Sequence, residues 1–288
     1  MEEIAENVYI EECFPRVVLG ALKLDHGMLI VDSPFRIEDV QSWKSKLSHL
    51  GAGRERLLII MDAHIDRTIM AQAMEIETLA HESTVGIIRN RTASSKSQEL
   101  EIGPDWTGTE LPPGIRLIKP HITFTNEVQV HWEGDPLVIS HMSGAHFAGA
   151  WLRYDAQKVI FVGDSVVLNQ PPFFAKADLT TWIEDLEWLG SDRFKNFKII
   201  SGRNGLIQSS SIRTMSALLN EAKERIDELA EEEMPLASVP ELADHLLKKI
   251  NCDPQLRDRY YLRLTRGLEQ YIKRHMLNSE TDNKGETE

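Results

Sequence analysis

A short run of apolar residues, Leu57 to Met61, is the feature that most constrains the fold of this chain. A continuous apolar run of this length is typical of a strand that is buried on both faces. Such strands occur in sheets that are covered by helices or by a second sheet. The run leads directly into the polar segment Asp62–Arg67, "DAHIDR", so polar chemistry begins where the strand ends. The sequence therefore predicts a layered α/β protein with functional side chains at a strand end.

Composition excludes several classes of protein. The 288 residues leave room for one large domain or two ordinary ones. The net charge of −13 argues against binding to nucleic acid or to an anionic membrane surface, because both need clustered Lys and Arg. Cys13 and Cys252 form no CxxC pair, so neither a disulfide framework nor a thiolate zinc site is expected. We find no signal-peptide pattern and no apolar run that could span a bilayer, and we expect a cytoplasmic protein.

Hydrophobic periodicity gives a coarse order of strands and helices. Strands are predicted at Val8–Glu11, Val17–Leu24, Met28–Val31, Leu57–Met61, Val85–Ile88, Ile115–Ile118, Glu127–Trp132, Pro136–Ser140, Ala150–Tyr154, Lys158–Val162 and Phe197–Ser201. Helices are predicted at Ile37–Leu50, Thr68–Ala80, Trp182–Leu189, Ser211–Glu233, Val239–Ile250 and Pro254–Leu277. The polar, turn-rich segment 90–114 is predicted to be a long loop of the kind that is functional or mobile.

The alternation of strand and helix patterns ends near residue 209, and this change predicts the domain organisation. Residues 1–208 alternate strands and helices and are expected to form an α/β domain. Residues 209–277 are expected to form a helical C-terminal extension, which packs against that domain and could provide the surface of a homodimer. The polar tail, residues 278–288, is expected to be disordered.

Four strand ends carry the side chains that could do chemistry. They are the segments Asp62–Arg67 and His141–His146 and the turns Gly163-Asp164-Ser165 and Gly202-Arg203-Asn204-Gly205. Imidazole and carboxylate groups are ligands that a zinc-like ion prefers, and strand-end loops are where a rigid sheet can hold them. Each loop alone is a weak signal, because a Gly-Asp-Ser after a strand is more often a turn than a ligand. Their order and spacing together predict one common site.

In order and spacing, these loops resemble the motifs of the metallo-β-lactamase superfamily: HxHxDH, a later His, a Gly-Asp and a final Gly-His-Gly. The resemblance covers residues 4 to about 208 and includes "GMLIVDSP" at 27–34, where a strand ends in an aspartate before the first helix. It implies a four-layer αββα sandwich with metals between its two halves. It also implies hydrolysis of an ester, thioester, lactam or phosphodiester by a metal-bound hydroxide.

Carried over residue by residue, the resemblance implies a first metal site that is still competent. Its four ligands would be Asp62, His64, His146 and Asp164. The second site keeps Asp66 and Asp164 but has Arg67 and Arg203 at both histidine positions. Arginine stays protonated and has no lone pair to offer a metal. At most one divalent metal, zinc or iron, is therefore expected.

Two functions are compatible with this arrangement, and the sequence leaves both open. In the first, a metal-bound water attacks a small anionic ester or thioester, and Asp66 orients that water or protonates the leaving group. Arg67 and Arg203 then clamp a carboxylate or phosphate of the substrate. In the second, the same arginines pair with the aspartates in a buried salt-bridge network, and the protein is a metal-free binding or scaffold protein.

Other residues near these loops have a structural interpretation beside the functional one. His141 lies five residues before His146 and could hold that loop in position, or it could be a hydrogen-bonded structural histidine. Phe173 and Phe174 follow a Pro-Pro turn. They could wall an apolar substrate pocket, or they could simply pack in the core.

Overall fold

Two β-sheets lie face to face in the computed structural model, and helices cover the outer side of each sheet. The structure describes residues 1–51, 53–91, 117, 119–132, 134–230 and 235–282. Within them, strands alternate with helices as far as residue 207, and the chain is helical from there on. The predicted α/β class and the four-layer αββα sandwich are confirmed.

Among the described residues, the first sheet has seven strands, whose order in space is their order in the sequence. The first four strands pair antiparallel, and β4 to β7 pair parallel. The strands are β1 Glu2–Ala5, β2 Val8–Glu11, β3 Leu19–Lys23, β4 Gly27–Val31, β5 Glu55–Ile59, β6 Glu77–His81 and β7 Ile122–Phe124. The helices in this half are α1 Ile37–Leu50, α2 Ile65–Thr68 and α3 Ser83–Asn90.

In the described part of the chain, the second sheet has six strands, which also follow the order of the sequence. They are β8 Glu127–Val130, β9 Leu137–His141, β10 Ala150–Tyr154, β11 Val159–Phe161, β12 Lys198–Ser201 and β13 Gly205–Ile207. Their pairing is antiparallel except between β11 and β12, which run parallel. Helix α4, Leu179–Leu189, lies in the connection between these two strands.

Alternating side chains along the central strands explain the layering. Leu29 of β4 and Leu57 of β5 belong to the apolar core between the sheets, whereas Ile30 and Leu58 belong to the core beneath α1. Successive residues of a strand point to opposite faces of the sheet. A strand that is apolar at every position must therefore be covered on both sides, as the run Leu57–Met61 predicted.

Three C-terminal helices cover the outer face of the second sheet. They are α5 Ser209–Ala230, α6 Val239–Lys249 and α7 Arg257–Asp282. Leu219 of α5, Leu246 of α6 and Leu264 of α7 share one buried apolar cluster with Trp151 of β10. These helices therefore share their core with the sheet, and the domain boundary after residue 208 stays a prediction. None of the described helices is both long enough and apolar enough to cross a membrane.

The predicted helix Thr68–Ala80 is wrong. Helix α2 ends at Thr68, a single 3-10 turn covers Ala71–Met74, and β6 begins at Glu77. Glu75, between them, has a left-handed φ of 57°, which ends helical geometry. The strand forms because it pairs with β5, an interaction between distant residues that local periodicity does not report.

The predicted strand Val85–Ile88 is also wrong, because α3 runs through it. Thr84 and Ile88, four residues apart, are buried on one face of this helix. In a window this short, an apolar pair fits a strand and a helix equally well.

Other predictions fall wholly or partly outside the described residues. The predicted strand Ile115–Ile118 and the long loop 90–114 lie outside them, except for Asn90, Arg91 and Leu117. Helix α7 continues to Asp282, beyond its predicted end at Leu277. The rest of the tail, residues 283–288, lies outside the described residues.

Replacing Leu219 by alanine tests whether α5 belongs to the cooperative core. Leu219 is fully buried, and removing a buried leucine side chain costs about 2–5 kcal/mol. We expect the free energy of unfolding, measured by urea denaturation, to fall by that amount in a single transition. Leu262→Ala on α7, at a position that is 44% exposed, is the control and should change it by less than ~0.5 kcal/mol. A separate early transition would mean that the C-terminal helices unfold on their own.

Candidate functional site

The predicted site residues meet where the central strands of both sheets end. Strand β5 leads into the segment 62–67, Asp164 follows β11, and Arg203 follows β12. Parallel strands bring their carboxyl ends to one edge of a sheet, which is where open α/β sheets hold ligands. The two halves are joined there by a backbone hydrogen bond, in which the N–H of Ala150 donates to the carbonyl of Met61 over 2.8 Å.

Arg67 is the centre of the site and is completely buried. Its terminal nitrogens pair with carboxylates from opposite sheets, Nη1 with Asp62 and Nη2 with Asp164. Its Nε lies 3.2 Å from Oδ2 of a third carboxylate, that of Asp32, without hydrogen-bond geometry. Gly202 makes room for the guanidinium group, because a Cβ at that position would collide with Nη2. The planar guanidinium group of Arg67 thus faces three acids, and the ammonium group of a lysine cannot reproduce this geometry.

Arg203 is a second arginine that pairs with the same group of acids. Its Nε and Nη2 each lie 2.9 Å from an oxygen of Asp164, and its Nη1 pairs with Asp66. Burial alone would raise the pKa of Asp164, yet Arg203 and Arg67 hold that pKa well below its usual range. The pKa of Asp66 is also lowered, because Arg203 outweighs the effect of burial. Both acids are therefore carboxylates at neutral pH.

Asp32, the aspartate that ends β4, also belongs to this site, although it was not among the predicted site residues. Burial raises its pKa from 3.8 to about 7, and the charge of Arg67 offsets only part of that effect. Its Oδ1 accepts a hydrogen bond of 2.9 Å from the N–H of Met61. The signal available in the sequence was an aspartate directly after the apolar strand β4, which is a parallel neighbour of β5.

The two site histidines are neutral, because burial lowers the pKa of each. Nε2 of His64 lies 3.6 Å from Oδ2 of Asp164, and the ring of His146 stands 4.8 Å from that of His64, centroid to centroid. The backbone N–H of Ala148 donates to Nδ1 of His146 over 3.0 Å. The Nε2 atom of this ring is buried without a hydrogen-bond partner in the part of the chain that the structure describes.

His141 and Phe173 lie at the edge of the site around Arg67. The ring of His141 stacks on that of His81 at 3.7 Å between centroids, and its Nε2 lies 3.0 Å from the carbonyl oxygen of Phe147. This contact reaches the loop of His146, so the supporting role predicted for His141 is compatible with its position. The ring of Phe173 lies 6.0 Å from that of His64, whereas Phe174 is buried in the core.

A cavity of about 360 Å³ opens in front of this centre. Its lining on the side of the sheets includes Arg16, His64, Asp66 and Arg203, with Phe173 on its wall. This volume is in the range of small-molecule sites. Guanidinium groups such as that of Arg203 bring positive charge to this opening.

Three of the predicted ligands could hold a metal ion. One ligand atom from each of Asp62, His64 and Asp164 lies within 4.8 Å of the other two. Zinc binds such atoms at about 2.0–2.3 Å, so the group would have to contract around an ion. Both carboxylates are already paired with Arg67. An ion at this position would therefore share both carboxylates with Arg67, whose positive charge opposes its own.

Several solved structures share this fold. A metallo-beta-lactamase family protein from Thermus thermophilus matches with a TM-score of 0.63 and 15% identity, covering 95% of this chain and 94% of that one. The DIM-1 metallo-beta-lactamase matches at 0.58 and 16%, covering 77% and 96%, and a metallo-beta-lactamase from Pontibacter korlensis at 0.57 and 15%, covering 76% and 97%. No family model matches the sequence, and no curated protein matches it. The chain has the metallo-β-lactamase fold, as its motifs predicted.

Replacing Arg67 tests how much its buried guanidinium group contributes to the free energy of unfolding. Arg67→Ala leaves three buried acids without this partner, and breaking a buried ion pair costs about 3–5 kcal/mol. Arg67→Lys restores the charge but not the fork, so we expect an intermediate loss in urea denaturation. The control is Arg36→Ala, which removes an ion pair whose arginine side chain is 44% exposed and should cost less than ~1 kcal/mol. Similar small losses at both positions would contradict a central role for Arg67.

The pKa of Asp32 predicts how stability depends on pH. Because this pKa is raised from 3.8 to about 7 on folding, the folded protein keeps a proton that the unfolded chain releases between those values. Wild-type stability should therefore fall relative to that of Asp32→Asn as the pH rises through this window. Asparagine keeps the acceptor for Met61 and does not ionise. Urea denaturation of both proteins across the window measures the difference, and a pH-independent difference would refute the prediction.

Proposed function

We propose that this protein binds a small anionic molecule of ester or thioester type in the cavity beside Arg203, with guanidinium charge in place of metal charge. The observation that supports this most directly is the pairing of the buried Arg67 with Asp62 and Asp164. These are the carboxylates that a metal ion would need. The protein is then hydrolase-like in its fold and binds its ligand through arginine.

The charge balance of the centre supports the metal-free part of this proposal. The acids are Asp32, Asp62, Asp66 and Asp164, and they face Arg67 and Arg203. Four negative and two positive charges leave a formal −2, which a proton on Asp32 reduces to −1. Each acid has a cationic neighbour, so no additional cation is required to avoid an isolated buried charge.

The residues that line the cavity have separate tasks in this proposal. Arg203 is held flat by Asp164 and Asp66, and its Nη1 also donates to the carbonyl oxygen of Arg16. This arginine therefore offers the ligand its positive charge rather than a free N–H group. Asp66 stays ionised and can accept a hydrogen bond from a ligand hydroxyl or amide. The ring of Phe173 provides an apolar wall for the carbon skeleton of the ligand.

One observation favours a second candidate, hydrolysis of the same class of compound with a single metal. Asp62, His64 and Asp164 are close enough to be gathered around one ion. When bound, such an ion would supply Lewis-acid activation of water. Asp66 would hold a proton during the reaction, and Arg203 would bind the anionic part of the substrate. This candidate places a metal ion beside the completely buried, positively charged Arg67, which is why it ranks second.

Elemental analysis of protein purified without a metal-affinity column separates the two candidates. We expect far less than one zinc or iron per chain, even after incubation with excess zinc. The double variant Arg67→His, Arg203→His should raise the metal content, because imidazole restores ligands that the arginines replace. Circular dichroism confirms that the variant is folded. Close to one metal per wild-type chain, lost in His64→Ala together with esterase or thioesterase activity, would favour the mononuclear hydrolase.

A further inference from the structure

The cavity beside Arg203 is a cleft between the sheet ends and the C-terminal helix α7. Tyr260 and Arg263 of this helix line it, as do Gln170 and Phe173 of the loop that follows β11. A second cavity, of about 400 Å³, also has Gln170 in its lining. The cleft and the second cavity therefore adjoin each other at this residue.

Apolar side chains from three parts of the chain line the second cavity, which we call the apolar cavity. They belong to the loop after β11, to α5 and to the residue after α6, and they are Val167, Leu168, Met215, Leu218 and Ile250. Among the described lining residues, Glu221 and Lys249 are charged, and they form an ion pair of 3.1 Å with each other. A cavity of this kind favours the apolar part of a ligand over a charged group.

The cleft and the apolar cavity lie end to end between the same two segments of the chain. In the loop after β11, residues 167–170 line the apolar cavity, and Phe173 lines the cleft. In the connection from α6 to α7, residues 250–251 line the apolar cavity, and Leu256 lines the cleft. Both segments thus pass from the apolar cavity to the cleft in the same direction. A ligand in the cleft can therefore extend along them, past Gln170, into the apolar cavity.

Hydrogen bonds fix the loop on which the two cavities meet. The N–H of Leu168 donates to Oδ1 of Asn204 over 2.8 Å, and Nδ2 of Asn204 donates to the carbonyl oxygen of Leu168 over 3.1 Å. Nη1 of Arg263 donates to Oε1 of Gln170 over 3.1 Å. The loop is thus held by α7 and by the residue that follows Arg203. A wall that is ordered in advance lowers the cost of binding a ligand.

We propose that the ligand carries a long apolar chain, which runs from the cleft past Gln170 into the apolar cavity. Its anionic head group stays in the cleft beside Arg203. The side chains of Phe173, Leu256 and Tyr260 line the cleft and suit the first part of the chain. This inference rests on the proposed function and specifies its ligand class: an acyl compound with a long aliphatic chain and an anionic head group.

Calorimetric titration with straight-chain monocarboxylates from butanoate to dodecanoate tests this proposal. We expect the affinity to rise about fourfold for each added methylene group that leaves water on entering the apolar cavity. The primary alcohols of the same chain lengths lack the anionic head group and are the matched ligands. Each alcohol should bind more weakly than its acid, because it lacks the charge that faces Arg203.

The variant Thr214→Trp locates the chain. Thr214 lies at an exposed position of α5 and lines the apolar cavity, so an indole ring there occupies the cavity without disturbing the core. We expect this variant to bind butanoate as the wild type does and to lose most of the gain in affinity at dodecanoate. Asn220→Trp, at an exposed position of the same helix outside the lining, is the control and should change neither affinity. Circular dichroism confirms that both variants are folded.

The outcomes separate this inference from the proposed function. The position of the chain is refuted if affinity does not rise with chain length, or if Thr214→Trp leaves the gain at dodecanoate intact. In those cases the proposed function stands as long as butanoate binds. If each alcohol binds as tightly as its acid, the anionic head group contributes nothing, and the proposed function fails while the apolar cavity keeps its role. If no acid and no alcohol binds, both fail.

Discussion

The interaction on which the centre of this protein depends is that between the guanidinium group of Arg67 and the carboxylates of Asp32, Asp62 and Asp164. A charge so deeply buried is tolerated only when partners surround it. Two of these partners come from the first sheet and one from the second, so the arginine joins the two halves of the sandwich at their strand ends. Gly202, directly after β12 of the second sheet, leaves the space that the guanidinium group of Arg67 occupies.

A guanidinium group and a metal ion offer positive charge in different ways. A metal ion draws several ligands into a small shell and can activate a water molecule. A guanidinium group spreads one charge over a plane and donates hydrogen bonds along its edges, which suits recognition of a carboxylate or phosphate. Here the nitrogens of Arg67 and Arg203 are paired with the site acids, so guanidinium charge balances these carboxylates.

The C-terminal helices connect the fold with the cleft. They complete the outer core of the second sheet, and α7 also carries arginines to the opening of the site. A single element thus contributes to stability through its apolar face and to the charge of the cleft through the adjacent face.

The sequence by itself determined the layered fold, because fully apolar strands such as 57–61 must be covered on both faces. It also determined that Arg67 and Arg203 cannot ligate a metal, since that follows from the chemistry of the side chain. Only the tertiary structure decided their partners. Asp32 joins the site because β4 and β5 are parallel neighbours, and β6 forms where local periodicity predicts a helix because it pairs with β5. The arginines of α7 reach the cleft through packing between residues far apart in the chain, and no local pattern of the sequence encodes such contacts.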